Sequence, residues 1–187
     1  HHDATIRREA ARNRLDPAWI AAEIRAESIF NPNARSAANA VGLMQVLPST
    51  GAGTAAKIGL PWNGEASLLD PDTNIALGSA YLRQLLDGYG EGKPYYTIAG
   101  YNAGPGPLLP WQSQRPGMEP DFWIQTISSK ETRDYVARVL AFSTIYDWRL
   151  HGNALPLSDR PRGRMHVSRK QFVWSFSIPL PAAPTTK

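Results

Sequence analysis

Four short runs carry the residues able to do chemistry. They are Glu27-Ser28, Gly42-Leu43-Met44-Gln45, Tyr101-Asn102-Ala103-Gly104 and Glu131-Thr132-Arg133-Asp134-Tyr135-Val136, in that order along the chain. Together they offer one carboxylic acid, a polar turn and a tyrosine–asparagine pair able to orient a sugar. Such a set suits the cutting of a glycosidic bond by a single acid. A two-carboxylate glycosidase needs a second Asp or Glu across its cleft. Residues 28–64 and 92–118 contain no acidic residue, so the two middle runs supply only amides and hydroxyls.

The acid must be held by a helix. Asp16 is a suitable N-cap and Pro17 a suitable first residue for a helix running to about Phe30, where Asn31-Pro32-Asn33 stops it. On its wheel Trp19, Ile20, Ile24, Ala26 and Phe30 make one apolar side, with Glu27 inside it and Arg25 and Ser28 pointing away. Apolar neighbours make a carboxyl harder to ionise, which a general acid near neutral pH requires. Taken alone, however, Glu27 reads more simply as a surface-edge glutamate paired with an arginine. Glu23 stands one turn earlier on the same side. Carboxylates at i and i+4 lie only ~5–6 Å apart. They project from one wall and cannot flank a sugar from opposite faces. Helix geometry does not choose between them.

Further helices are expected over 4–14, from Pro48 to about Ile58, over 71–88 behind an Asp70 cap, over 94–103 and over 130–150. A short helical turn is expected around Leu43–Val46, and Gly104-Pro105-Gly106 reads as a turn ending a helix. No strand is expected before residue 165. The fold class is therefore all-α. After Gly152 the texture changes to prolines and arginines, marking residues 153–187 as a C-terminal extension, docked or flexible, with a short strand possible over Gln171–Ser177.

A chain of 187 residues with 42% hydrophobic and 19% charged residues suits one globular domain with a real core. No apolar stretch approaches the ~18 residues of a membrane span, and the opening His1-His2-Asp3 shows no secretory signal, which fits a mature form or a fragment. The absence of cysteine removes disulfides and thiolate chemistry. The net charge of +4 lacks the concentrated basic stripe that nucleic acid would require. No cofactor or metal is expected. Asp70-Pro71-Asp72-Thr73-Asn74 imitates a calcium loop, but Ile75 replaces its glycine and Tyr81 its closing glutamate. The four histidines have no zinc-ligand spacing.

The four runs, in their order and spacing, resemble the catalytic domain of Slt-type soluble lytic transglycosylases, a goose-lysozyme-like helical fold. The resemblance spans about residues 15–150 and implies a lysozyme-like catalytic domain over 1–152. It chooses Glu27 as the catalytic acid, because the family's glutamate directly precedes a serine at a helix end. It implies substrate contacts from Ser36, Met44, Gln45, Tyr101, Asn102 and Tyr135. Four matches in register outweigh the simpler structural reading of each run alone. There are departures: Asn39 stands where the family usually has glycine, Gly100 where it has alanine, Leu47 where methionine is common, and Glu23 at a usually apolar position.

The chemistry the resemblance implies begins with Glu27 protonating the bond oxygen between N-acetylmuramic acid and N-acetylglucosamine. The glutamate then takes the proton of the muramic C6 hydroxyl as that oxygen attacks C1, closing a 1,6-anhydro ring without water. The expected partner is the glycan strand of peptidoglycan, and the expected place the periplasm or cell envelope. The protein is expected to be a monomer or part of a larger envelope protein. Two other readings compete. A goose-type lysozyme would deliver water to C1, with Glu65, Asp70 or Glu131 as the distant second acid. A glycan-binding module would keep the fold without the reaction.

Overall fold

The computed structural model describes residues 2–151, 153–154, 157–162 and 170–171. Among them are nine helices: α1 (Asp3–Asn13), α2 (Pro17–Ser28), α3 (Pro48–Ile58), α4 (Ala66–Leu69), α5 (Pro71–Gly88), α6 (Pro94–Ala103), α7 (Pro105–Gln114), α8 (Pro120–Gln125) and α9 (Lys130–His151). Six of them, α2, α3 and α5 to α8, begin with proline. The ring pre-sets the helical φ, and its missing N–H is one that the first turn would leave unpaired anyway. Two starts also carry a side-chain cap. Asp16 accepts from the Ala18 amide at 2.9 Å and Asp70 from the Thr73 amide at 2.8 Å.

The expected helices are all present. Three more, α4, α7 and α8, were not expected. The Gly104-Pro105-Gly106 turn is instead the junction of two helices, because Pro105 occupies the first position of α7. The expected helical turn at Leu43–Val46 is also corrected. Val41 bridges Val46 in antiparallel fashion and Arg35 bridges Val41, so this stretch is a tight folded loop. A two-residue strand, β1 (Asn153–Ala154), precedes residue 165 and pairs with β2 (Lys170–Gln171). Of the strand expected over Gln171–Ser177, residues 172–177 lie outside the described residues.

α2 lies along α9 in the most extensive helix-to-helix contact of the molecule, and α6 packs beside α9. Ile20, Ile24, Val136 and Val139 are fully buried at this centre. A second aromatic centre joins Tyr95 and Tyr96 to Trp123, with ring centroids 5.4 and 4.6 Å from the tryptophan. Its indole N–H donates to the Trp111 carbonyl at 3.0 Å, which ties α8 to α7. A 3-10 turn, Leu157–Arg162, brings the buried Arg160 onto the body, where its guanidinium meets Asp147 of α9 at 2.5 Å and Asp16 at 3.6 Å. No helix among the described residues is long and apolar enough to cross a membrane.

Candidate active site

Glu27 sits in the last turn of α2, just before the chain turns sharply through two left-handed residues, Ile29 (φ 54°) and Phe30 (φ 61°). Two consecutive non-glycine residues in this region are uncommon and cost local stability. The packing of α2 on α9 holds Glu27 partly exposed at this helix end. From α9, the Tyr135 hydroxyl lies 2.7 Å from Glu27 Oε1 and also hydrogen-bonds Glu23 Oε2. Glu23 is wholly buried, and its other oxygen accepts the Trp19 indole N–H at 2.9 Å.

Burial dominates the electrostatics of both acids. It pushes the Glu27 carboxyl up to about 7, against the lowering effects of the Tyr135 hydrogen bond and the Arg138 charge, while the Glu131 charge raises it further. Burial pushes Glu23 up to about 8, opposed by the Tyr135 hydrogen bond and aided by the Glu27 charge. Glu27 therefore holds a proton near neutrality yet can release it, as a general acid must. Tyr135, buried beside both carboxyls, is held well above the usual phenol range, so it takes part as a neutral hydroxyl.

The folded loop is pinned against this helix end. Ser28, expected to point away from the apolar side, is buried instead; its hydroxyl donates to the Leu43 carbonyl at 2.8 Å, with the Ile24 carbonyl at 3.1 Å. Asn74 of α5 is fully buried and clasps the loop from behind. Its amide nitrogen donates to Val41 and Leu68 carbonyls at 2.8 and 2.9 Å, and its oxygen accepts from the Met44 amide at 2.7 Å. Gly42 must be glycine here. Its φ is +80°, and a Cβ would lie 2.3 Å from the Asn74 amide nitrogen and 2.5 Å from the Leu68 carbonyl.

The expected site residues fall into two groups. Gln45, Tyr101 and Asn102 share the wall of a cleft with about 520 Å³ of open space, together with Leu47 and Tyr81. Gln45, itself left-handed (φ 48°), donates to the Ala34 and Gly42 carbonyls and so braces the loop it belongs to. The Tyr101 hydroxyl donates to the Met44 carbonyl at 2.7 Å, and Asn102 accepts from the buried Thr132 at 2.8 Å. Met44 and Ser36 behave differently. The Met44 side chain is fully buried against Gly78 and presents no surface to a ligand; its part in the site runs through its backbone. The Ser36 hydroxyl accepts from the Ala40 amide at 3.0 Å, closing the loop in which Asn39 adopts φ 65°, a conformation asparagine tolerates where glycine is usual.

Sequence reading missed Asn74 and Thr132 as supports. The signal for Asn74 was present: an amide in helical register with Gly78, Leu82 and Leu85, on the inner stripe of α5. Among the described residues no group of three or more His, Asp or Glu gathers as a metal site. Two of the distant acids have structural work. Glu65 pairs with Arg35 at the surface, and Asp70 caps α5.

A family model described as the transglycosylase SLT domain matches residues 4–124. The soluble lytic murein transglycosylase of Escherichia coli K12 is 31% identical over 163 residues, covering 86% of this chain and 25% of that protein. A putative soluble lytic murein transglycosylase of Haemophilus influenzae is 42% identical over 123 residues, 65% of this chain and 21% of the relative. Among solved structures, an inactive mutant of the lytic transglycosylase Slt from Pseudomonas aeruginosa superposes with a TM-score of 0.79 at 40% identity, over 83% of this chain and 25% of that one. A complex of the 70-kDa soluble lytic transglycosylase with bulgecin A matches with a TM-score of 0.76 at 30% identity, over 80% and 24% of the two chains. The chain thus spans about a quarter of the length of these relatives.

Proposed function

The chain belongs to the transglycosylase SLT domain family, and from that premise we propose that it cleaves the glycan strands of peptidoglycan by a non-hydrolytic, single-acid reaction. The observation that carries this reading is the pairing of Glu27 with Tyr135 at the edge of the core, which holds an acid near neutral proton affinity, near enough to Tyr101 of the cleft wall for its charge to act on that phenol. Glu27 protonates the oxygen between N-acetylmuramic acid and N-acetylglucosamine. The resulting carboxylate, steadied by the Tyr135 hydroxyl, then removes the C6 hydroxyl proton as that oxygen bonds to C1. The 1,6-anhydro product balances without water, and Glu27 ends as it began. Gln45, Tyr101 and Asn102 position the strand, while Ser36 and Met44 support the loop that carries Gln45.

Glu65 and Asp70 are engaged elsewhere, which leaves Glu131, whose charge acts on Glu27, as the one second acid that the lysozyme reading could use. Residues 1–152 form the catalytic domain in this reading, with 153–187 an extension whose Arg160 docks on Asp147 and Asp16. The place of action is the cell envelope, where the substrate lies, and the chain acts as a monomer or within a longer protein.

Digestion of purified peptidoglycan, followed by mass spectrometry of the released disaccharide-peptides, tests the proposal. Products lighter by one water than hydrolysed ones are expected. Glu27→Gln should lower the rate by about 10²–10⁴-fold, the range for removing a general acid. Products with reducing ends would make the enzyme a lysozyme, and no release by the unaltered chain would favour a binding module.

A further inference from the structure

Three oxygens meet at Tyr135. Its single hydroxyl stands between Glu27 Oε1 on one side and Glu23 Oε2 on the other. A phenol has one hydrogen to donate and lone pairs to accept with. If both carboxyls were ionised, one of these two contacts would hold no hydrogen and would be repulsive. A second proton must therefore sit on one of the acids. Among the described residues no cation pairs with Glu23, which is fully buried between Trp19 and Tyr135. An isolated buried carboxylate is costly, so this is the acid that keeps the proton. The arrangement reads Glu23–Oε2–H to Tyr135 Oη, and Tyr135 Oη–H to Glu27 Oε1. A neutral glutamine could make the same contacts; what the acid adds is a proton it can give up.

We propose that Glu23 is a positioning residue and second proton site for the catalytic acid, passing a proton to Glu27 through the Tyr135 hydroxyl. In the transfer the Glu23 proton moves to Tyr135 Oη as the tyrosine's own proton moves to Glu27 Oε1. Glu23 loses one proton, Glu27 gains one, and Tyr135 is unchanged. As Glu27 takes the C6 hydroxyl proton on its other oxygen, the transfer runs back: Glu27 Oε1 returns its proton to Tyr135 Oη and the tyrosine returns one to Glu23, so both acids and Tyr135 end the cycle as they began. The two carboxyls then titrate as one unit with two steps. The other groups facing them are Arg138 and Glu131 from α9, whose charges act on Glu27, and Tyr101 from α6. The role in turnover rests on the transglycosylase reading; the coupling of the two acids does not.

The test tracks the carboxyl carbons by nuclear magnetic resonance in protein labelled with ¹³C at glutamate Cδ, from pH 4 to 10, in the unaltered chain, Glu23→Gln and Glu27→Gln. The Glu27 signal is expected to titrate in two steps in the unaltered chain and in one step in Glu23→Gln. The reciprocal change is expected for Glu23 in Glu27→Gln, which keeps the test open should Glu23→Gln fold poorly. A Glu27 curve that is single-stepped in the unaltered chain, or a Glu23 curve that Glu27→Gln leaves unmoved, overturns the proposal. Digestion rates add the functional readout. Between pH 6 and pH 9 the activity of Glu23→Gln should fall about fivefold further than that of the unaltered chain, because one-step loss is steeper than two-step loss. Superimposable profiles in active proteins overturn the relay. Coupled titration without any product would instead overturn the transglycosylase reading and leave the pair intact.

Discussion

At the scale of single residues, the site is governed by where two carboxyls sit relative to water. Glu27 keeps some exposure and Glu23 has none, so the first can exchange protons with a substrate and the second cannot. Their raised proton affinities also act on stability. An unfolded glutamate ionises near its ordinary value of 4.5, while folded Glu23 holds its proton to about 8. Unfolding therefore releases a proton between these values, and stability must fall as pH rises through that window. Below it both states are protonated and nothing is lost. Glu23→Gln removes the group and its slope. From pH 5 to pH 8 it should gain on the order of 3 kcal/mol relative to the unaltered chain, measured by urea unfolding at each pH. Parallel pH dependences would mean that Glu23 is not held neutral in the fold.

Elements meet through a few buried polar side chains rather than through surface alone. Asn74 is the clearest case, since one amide closes three backbone groups belonging to α4 and to the folded loop. Met44, held by its N–H, also offers its carbonyl to Tyr101, so α5 fixes a loop that in turn fixes α6. Asn74→Ala would leave the Met44 amide and two carbonyls buried without these partners. Each such group costs about 1–3 kcal/mol, so a loss of about 3 kcal/mol or more is expected on thermal unfolding. The digestion rate at a temperature where the variant is still folded should fall as well, because Gln45 and Tyr101 lose their common anchor. An unchanged rate in folded protein would detach the loop from the reaction.

Across the whole molecule, among the described residues, a buried ion-pair cluster joins the extension to the helical body, beside a surface pair of Arg162 with Glu119. Asp147 on α9 is fully buried and meets Arg160 on one oxygen and His151 on the other. The same guanidinium reaches Asp16, the residue that caps α2. The 3-10 turn thus touches α2, which carries both acids, and α9, which carries Tyr135, at the ends remote from Glu27 and from Tyr135. Removing one partner of a buried pair leaves an uncompensated charge, which typically costs about 3–5 kcal/mol. Arg160→Gln should lose about 3 kcal/mol, equivalent to roughly 10 °C in melting temperature for a chain of this size. A calorimetric scan checks this. A melting temperature within a degree of the unaltered chain would make the extension dispensable to the fold.

The local signals were legible because they are local. Asp16-Pro17 and Asp70-Pro71 mark helix starts through contacts spanning two or three residues, and the structure uses both. The left-handed position of Asn39 reflects its own side chain and its turn. The same reasoning misread Pro105 as a stop, since a proline at a first helical position and one in a turn differ only in whether the next residues stay helical. It placed Ser28 on the outside, because a wheel shows one helix and not the loop that folds over it. Above all, the sequence determined that two carboxyls stand one turn apart on α2, and the resemblance chose Glu27 between them, but neither could say what each would hold. That was decided by Tyr135, which lies 108 residues from Glu27 and 112 from Glu23 along the chain. Proton affinity depends on burial and on partners within a few ångströms, and only the packing of α9 against α2 sets either.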